Sequence, residues 1–110
     1  MTREFIFTKP FLISWEKMGL GNEDLKQLEA ILLQDPHTGD VIKGTGGARK
    51  MRIQLEGRGK RGGGRIIYLD LFIKEKLYLL LAYPKNVQEN LTPEQEKIIK
   101  SLVDEIKKEA

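Results

Sequence analysis

Cysteine is missing from all 110 residues of the chain, which excludes a disulfide framework and a thiolate zinc site. A reducing compartment, the cytoplasm, fits that composition. Histidine occurs once, as His37, so no pair of imidazoles can divide acid and base work between them. No HExxH sequence or Asp-rich calcium loop is present, and neither a metal nor an organic cofactor is implied. The longest apolar run, Leu77 to Tyr83, is too short to span a bilayer. The opening residues Met1-Thr2-Arg3-Glu4 have no basic head leading into an apolar signal segment, so neither membrane insertion nor export is expected.

What is present is a strongly polarised charge distribution. Residues are 40% apolar and 32% charged, the composition of a globular chain, and the length suits a single domain over residues 1–110. The net charge is only +3, yet the stretch from Lys43 to Arg65 holds eight basic residues against the one acid Glu56. The rest of the chain carries 11 basic and 15 acidic residues. Eight of the 11 glycines fall in the same stretch. Crowding like charges opposes folding through self-repulsion, so a polyanionic partner, nucleic acid first, is the natural counterpart.

The hydrophobic periodicity predicts an α+β chain in the order β, α, α, β, β, β, α. Glu4 to Thr8 alternates and carries β-favouring aromatics. Thr8 then caps a helix with Pro10 in its first turn and an apolar stripe of Phe11, Leu12 and Trp15. Gly19 and Gly21 end it. Asn22 opens a second helix with Leu25, Leu28, Ile31 and Leu32 at helical spacing, closed by Pro36. Phe5, Phe7, Phe11 and Trp15 belong to the core on this reading. Asp35 to Gly47 reads as a loop interrupted by Val41 and Ile42. Met51, Ile53 and Leu55 then alternate with Lys50, Arg52 and Gln54, a strand with one packed and one cationic face. Arg65 to Ile73 and Leu77 to Tyr83 are apolar on both faces and belong at the centre of a sheet, joined by a tight turn at Lys74 and Glu75. Thr92-Pro93-Glu94-Gln95 starts a final helix with a capping box.

Several patterns bear on chemistry. Gly57-Arg58-Gly59-Lys60-Arg61-Gly62 matches a dinucleotide fingerprint in letters, but a strand follows instead of the helix that motif requires. A glycine-rich cationic arm whose amides and side chains follow a phosphate backbone fits better, with a solvated loop as the plain alternative. His37, in a Pro-His-Thr-Gly turn, reads as an ordinary exposed histidine with no carboxylate partner, and Asp70 as one half of an ion pair. The cationic strand is more specific. Arg49, Lys50 and Arg52, beside Arg65 on the next strand, gather cations on a small area. Lysine, unlike arginine, can surrender its proton when repelled by neighbours and partly desolvated, which makes Lys50 the candidate base. RNA supplies its own nucleophile, the 2′-hydroxyl. Lys50 as base, Arg52 and Arg65 as phosphate clamp, and Tyr83 or Lys85 as acid would suffice to cleave it without a metal. A solvated charged face is the alternative.

From Asp35 onward the chain resembles the RelE/HigB-type toxins of bacterial toxin–antitoxin pairs, especially the HigB-like branch. The residues that carry the likeness are Gly44-Thr45-Gly46-Gly47-Ala48-Arg49-Lys50-Met51-Arg52, Gly59-Lys60-Arg61-Gly62-Gly63-Gly64-Arg65-Ile66-Ile67-Tyr68, Tyr83-Pro84-Lys85-Asn86 and the helix start Leu91-Thr92-Pro93. The resemblance implies a RelE/ParE-like fold: a small, mostly antiparallel sheet with an N-terminal helical hairpin and a C-terminal helix. It implies a ribosome-dependent endoribonuclease that cuts mRNA, leaving a cyclic phosphate and a 5′-hydroxyl, inhibits translation, and is neutralised by a cognate antitoxin, often of helix-turn-helix type. The family's catalytic basic pair falls on Lys50 and Arg52, its third-strand arginine on Arg65 with Tyr68 three residues later, and its fourth-strand basic position on Lys85. Lys43, Arg49, Arg58, Lys60, Arg61 and Tyr68 are the expected RNA and ribosome contacts. Some relatives use a C-terminal tyrosine; this chain has none after Tyr83, so the acid and base stay unassigned between Lys50, Tyr83 and Lys85. A ParE-like inhibitor of DNA gyrase and a noncatalytic RNA-binding module are the competing readings.

Overall fold

The computed structural model describes residues 2–55, 57 and 63–109. A five-stranded mixed sheet runs in the order β1-β5-β4-β3-β2, where β1 is Glu4–Phe7, β2 Asp40–Val41, β3 Arg49–Gln54, β4 Gly63–Leu71 and β5 Lys76–Pro84. Helices α1 (Lys9–Lys17) and α2 (Asn22–Gln34) follow β1, and α3 (Pro93–Glu109) follows β5. The strands β2 to β5 pair antiparallel with their sheet neighbours, while β1 lies parallel to β5 at the edge. Thus β4 and β5 are interior strands, as their apolar runs require.

Each face of the sheet has its own core. On one, Phe11, Trp15, Leu28 and Leu32 from the helical hairpin meet Met51, Ile53, Ile66, Tyr68, Leu77 and Leu79. Phe5 and Phe7 pack against the same cluster, and Phe7, Phe11 and Trp15 stack in sequence. On the other face, Ile99 and Val103 of α3, with Leu91, meet Ala48, Ile67, Leu69, Leu80 and Tyr83. Each fully buried Leu or Ile contributes about 1.5–3 kcal/mol before the cost of ordering it is subtracted. Consecutive residues of β4 feed opposite cores, which is why its sequence is apolar without alternation. One extra residue, Leu80, is accommodated on β5, since Ile67 pairs with Leu81 and Tyr68 with Leu79.

The helix starts are fixed by side chains, of which the sequence identifies Thr8 and the Thr92–Gln95 box. Thr8 Oγ1 accepts the Phe11 N–H at 3.4 Å and donates to the Leu79 carbonyl at 2.8 Å, tying the start of α1 to β5. The Gly21 N–H donates to the Asp24 carboxylate at 2.8 Å at the start of α2. Thr92 and Gln95 form a reciprocal box at the start of α3, with bonds of 3.0 and 3.1 Å.

Two segments depart from the sequence reading. The apolar run expected to continue to Ile73 leaves the sheet at Leu71 and makes a 3-10 turn over Phe72–Lys74, with Glu75 left-handed at φ 55°. Phe72 and Ile73 are exposed there; strand-like residues were not enough to prolong β4 once the chain had to reverse. Inside the expected loop, Asp40 and Val41 pair with Lys50 and Arg49 to make β2. Gly39 permits that approach, because a Cβ there would lie 2.7 Å from the Lys50 carbonyl oxygen. The following Gly44-Thr45-Gly46-Gly47 turn is a seat for α3. Gly46 adopts φ +84°, faces Val103, and offers its carbonyl to the Lys107 ammonium, while the buried Thr45 hydroxyl donates to the Ile42 carbonyl at 2.7 Å and accepts the Ala48 N–H at 3.1 Å.

Candidate active site

Alternation along β3 sends Lys50, Arg52 and Gln54 to the α3 side of the sheet and Arg49, Met51 and Ile53 to the hairpin side. The register then sets three functional candidates in a row, because Arg52 pairs with Arg65 and Arg65 with Tyr83. Lys50, Arg52, Arg65 and Glu89, with Thr38, Asp40 and Met51, line a cleft of about 480 Å³. An adjoining hollow of about 400 Å³ repeats Arg52, Arg65 and Glu89 and adds Ile53, Gln54 and Lys85. The five expected catalytic side chains thus converge: four line the two hollows, and Tyr83 stands beside Arg65.

Their environments differ. Arg65 is only 4% exposed, although it opens into the cleft, and its Nη2 donates to Glu89 Oε1 at 2.6 Å. Arg52 is exposed, with Nη2 3.7 Å from the same Glu89 oxygen. Lys50 Nζ donates to Asn90 Oδ1 at 2.7 Å. Tyr83 is buried and its hydroxyl donates to the Glu89 carbonyl at 3.4 Å. Burial pushes the Tyr83 hydroxyl above its ordinary value, against the opposing pull of Arg65. Glu89 moves the other way: its bond to Arg65, then the charge of that guanidinium, hold its carboxyl below the ordinary value.

Glu89 and Asn90 escaped the sequence reading. Both lie in the loop between β5 and α3, and the only hint was a carboxylate a few residues after the strand that pairs with Arg65.

Several expected contacts lie elsewhere. Tyr68 is fully buried on the hairpin side, where its hydroxyl accepts the Gly39 N–H at 2.9 Å. It braces β2 and the preceding loop and presents nothing to RNA. Burial raises its hydroxyl too, with the Gly39 bond opposing. Arg49 also turns to the hairpin side, donating to the carbonyls of Gly39 at 2.7 Å and His37 at 3.4 Å, so it does not crowd Lys50. Lys43 is exposed in the turn after β2. Arg58, Lys60 and Arg61, with most of the proposed cationic arm, lie outside the described residues. His37 does have a carboxylate partner: its Nε2 is 3.0 Å from Asp70 Oδ2. Asp70, 1% exposed, is also gripped by Arg3 through bonds of 2.7 and 3.2 Å, which raise the Arg3 value.

A family model described as the RelE toxin of the RelE / RelB toxin-antitoxin system matches residues 8–110. The chain belongs to the RelE toxin family. Its fold is shared with the free state of an arginine double mutant of E. coli RelE, at a TM-score of 0.55 and 22% identity over 81% of this chain and 90% of that one. The intact E. coli RelBE toxin–antitoxin complex also matches, at a TM-score of 0.49 and 21% identity over 74% of this chain and 94% of that one. The RelE fold thus provides the sheet whose α3-side face carries Lys50, Arg52 and Arg65. No helix among the described residues is long and apolar enough to cross a membrane.

Proposed function

We propose that this RelE-family toxin is an mRNA endoribonuclease that works on the translating ribosome. The observation that carries the reading is the buried Arg65 guanidinium, flanked across the sheet by Arg52 and Tyr83 and opening into a cleft shared with Lys50. A partly buried arginine beside a second one is suited to a phosphodiester, since fixed donors in a low-dielectric wall act more strongly on developing charge than solvated ones.

In the proposed reaction, the candidate base Lys50 takes the proton of the 2′-hydroxyl. The 2′-oxygen attacks the adjacent phosphorus, Arg52 and Arg65 stabilise the extra negative charge of the phosphorane, and the bond to the 5′-oxygen breaks. The acid is Tyr83, which stands beside Arg65 across the sheet, or Lys85, which lines the adjoining hollow. The products are a 2′,3′-cyclic phosphate and a 5′-hydroxyl, with no water consumed.

A cognate antitoxin fits the same surface, either by laying acidic side chains over the cations or by preventing ribosome entry. The deciding experiment maps message ends on purified translating ribosomes. Cleavage with those two end groups, and its loss in Arg65→Ala with ribosome binding kept, is the expected result. Equal loss of cleavage and binding would leave Arg65 a docking residue, and bound but intact message would make the protein a noncatalytic RNA-binding module. If about five phosphates are engaged, log affinity for single-stranded RNA falls against log salt with a slope near −3.5, at roughly −0.7 per phosphate. Intact message with lost supercoiling activity would instead indicate a gyrase inhibitor.

A further inference from the structure

The cationic face already holds acceptors at its centre. The segment after β5 brings the Glu89 carboxylate to 2.6 Å from Arg65 and 3.7 Å from Arg52, and the Asn90 amide oxygen to 2.7 Å from Lys50. The Tyr83 hydroxyl binds the Glu89 carbonyl. Three cations suited to a phosphodiester are therefore occupied by oxygens of the chain's own loop.

The Arg65–Glu89 pair differs from the structural ion pair in the same molecule. Asp70 grips Arg3 through both oxygens and is 1% exposed. Glu89 uses one oxygen on one nitrogen of Arg65, and its side chain is 63% exposed on a loop. One partner is fixed and buried; the other stands in solvent. A solvated carboxylate can leave at small cost, whereas Arg65, buried in the wall, needs an anion in front of it. A phosphodiester presents the same features as that carboxylate, two oxygens and one negative charge.

We propose that Glu89 is the internal occupant of the phosphate position, and that RNA reaches Arg65 by displacing it. This deepens the reading of the cleft as an RNA site and rests on it. Exchanging one monoanion for another at Arg65 is nearly balanced, so net affinity has to come from Lys50, Arg52 and Lys85 along the rest of the strand. Glu89 in that sense sets a threshold: it weakens every anion at Arg65 by the same factor, and a polyanion that makes the further contacts has affinity to spare where a small anion does not. When displaced, Glu89 loses the bond that holds its carboxyl below the ordinary value and becomes an ordinary solvated side chain.

The test is equilibrium binding of RNA whose 2′-oxygens are methylated, which removes the nucleophile and separates binding from cleavage. A dinucleotide is followed by NMR titration and an octamer by fluorescence anisotropy, against the wild type, Glu89→Gln and Asp40→Asn. Asp40 lines the same cleft as Arg65 and controls for diffuse charge. Expected is a tightening by roughly fivefold in Glu89→Gln, by the same factor for both ligands, with a clearly smaller change in Asp40→Asn. A factor that grows with ligand length, or an equal gain in Asp40→Asn, reduces Glu89 to background charge and overturns the proposal. Weaker binding in Glu89→Gln overturns it as well, making Glu89 the group that positions Arg65. Absence of RNA binding in every protein removes the RNA reading itself, whereas unchanged binding in Glu89→Gln removes only the displacement.

Discussion

The two sides of one sheet use the same residue types to opposite ends. On the hairpin side, Arg3 and Arg49 are held by the fold: Arg3 by the Asp70 carboxylate, whose side chain is 1% exposed, and Arg49 by the carbonyls of Gly39 and His37. Tyr68 is likewise committed to the Gly39 N–H. On the α3 side, Arg65, Arg52 and Lys50 meet, among the described residues, acceptors of an exposed loop, and Tyr83 touches that loop's main chain. Permanence of the partner, more than the presence of charge, separates a cation that holds the fold from one free to meet a ligand. Arg49 and Lys50 are sequence neighbours and fall on different sides of that division.

The sharpest way to break this contrast is to exchange the two arginine environments for lysine. Arg65→Lys keeps the charge but loses the fork that binds two oxygens. Cleavage of ribosome-bound message is expected to fall by about 100-fold or more, while Arg49→Lys stays within a few-fold of wild type in the same assay. Equal losses would erase the distinction.

The next largest effect is on stability. Gly39→Ala drives a methyl group against the Lys50 carbonyl oxygen and is expected to cost about 1–3 kcal/mol in urea unfolding. Tyr68→Phe leaves the buried Gly39 N–H without its acceptor, for a comparable loss of about 1–3 kcal/mol. Tyr83→Phe removes only a long bond to an exposed loop and should change unfolding by less than about 1 kcal/mol, yet lower cleavage if Tyr83 is the acid.

The smallest effect is a pH dependence that both tyrosines share. Each hydroxyl is raised by burial above its ordinary value of 10.0. The unfolded chain therefore releases these protons first. The stabilising contribution is complete below the unfolded value and is lost as pH rises through the higher folded one. Melting temperature should decline above pH 10, and less steeply in Tyr68→Phe and Tyr83→Phe than in wild type.

Much of this arrangement was readable from residue spacing. The alternation of Lys50, Met51, Arg52 and Ile53 divides β3 into a cationic and a packed side, and Thr8, Thr92 and Gln95 announce their helix starts. The unbroken apolar run of β4 placed that strand in the interior but concealed which way each side chain points. Tyr68 and Arg65 are both buried, yet they face opposite cores. Periodicity does not reveal that Asp70 pairs with His37 and Arg3 across the molecule, or that Gly39 admits a further strand. Glu89 was invisible for the same reason: its meaning depends on the register that sets Tyr83 beside Arg65, and no local pattern encodes that register.

The parallel pairing of β1 with β5 has a temporal consequence. Glu4 to Phe7 are synthesised well before their partners Lys76 to Leu79, so this edge of the sheet cannot close until β5 has been made. Tyr83 and Glu89 are translated later still. A nascent chain is thus without the arrangement of Arg65, Tyr83 and Glu89 until the segment after β5 has been polymerised. Chains truncated before residue 76 should leave β1 open to protease, and early protection of that segment would contradict this order of assembly.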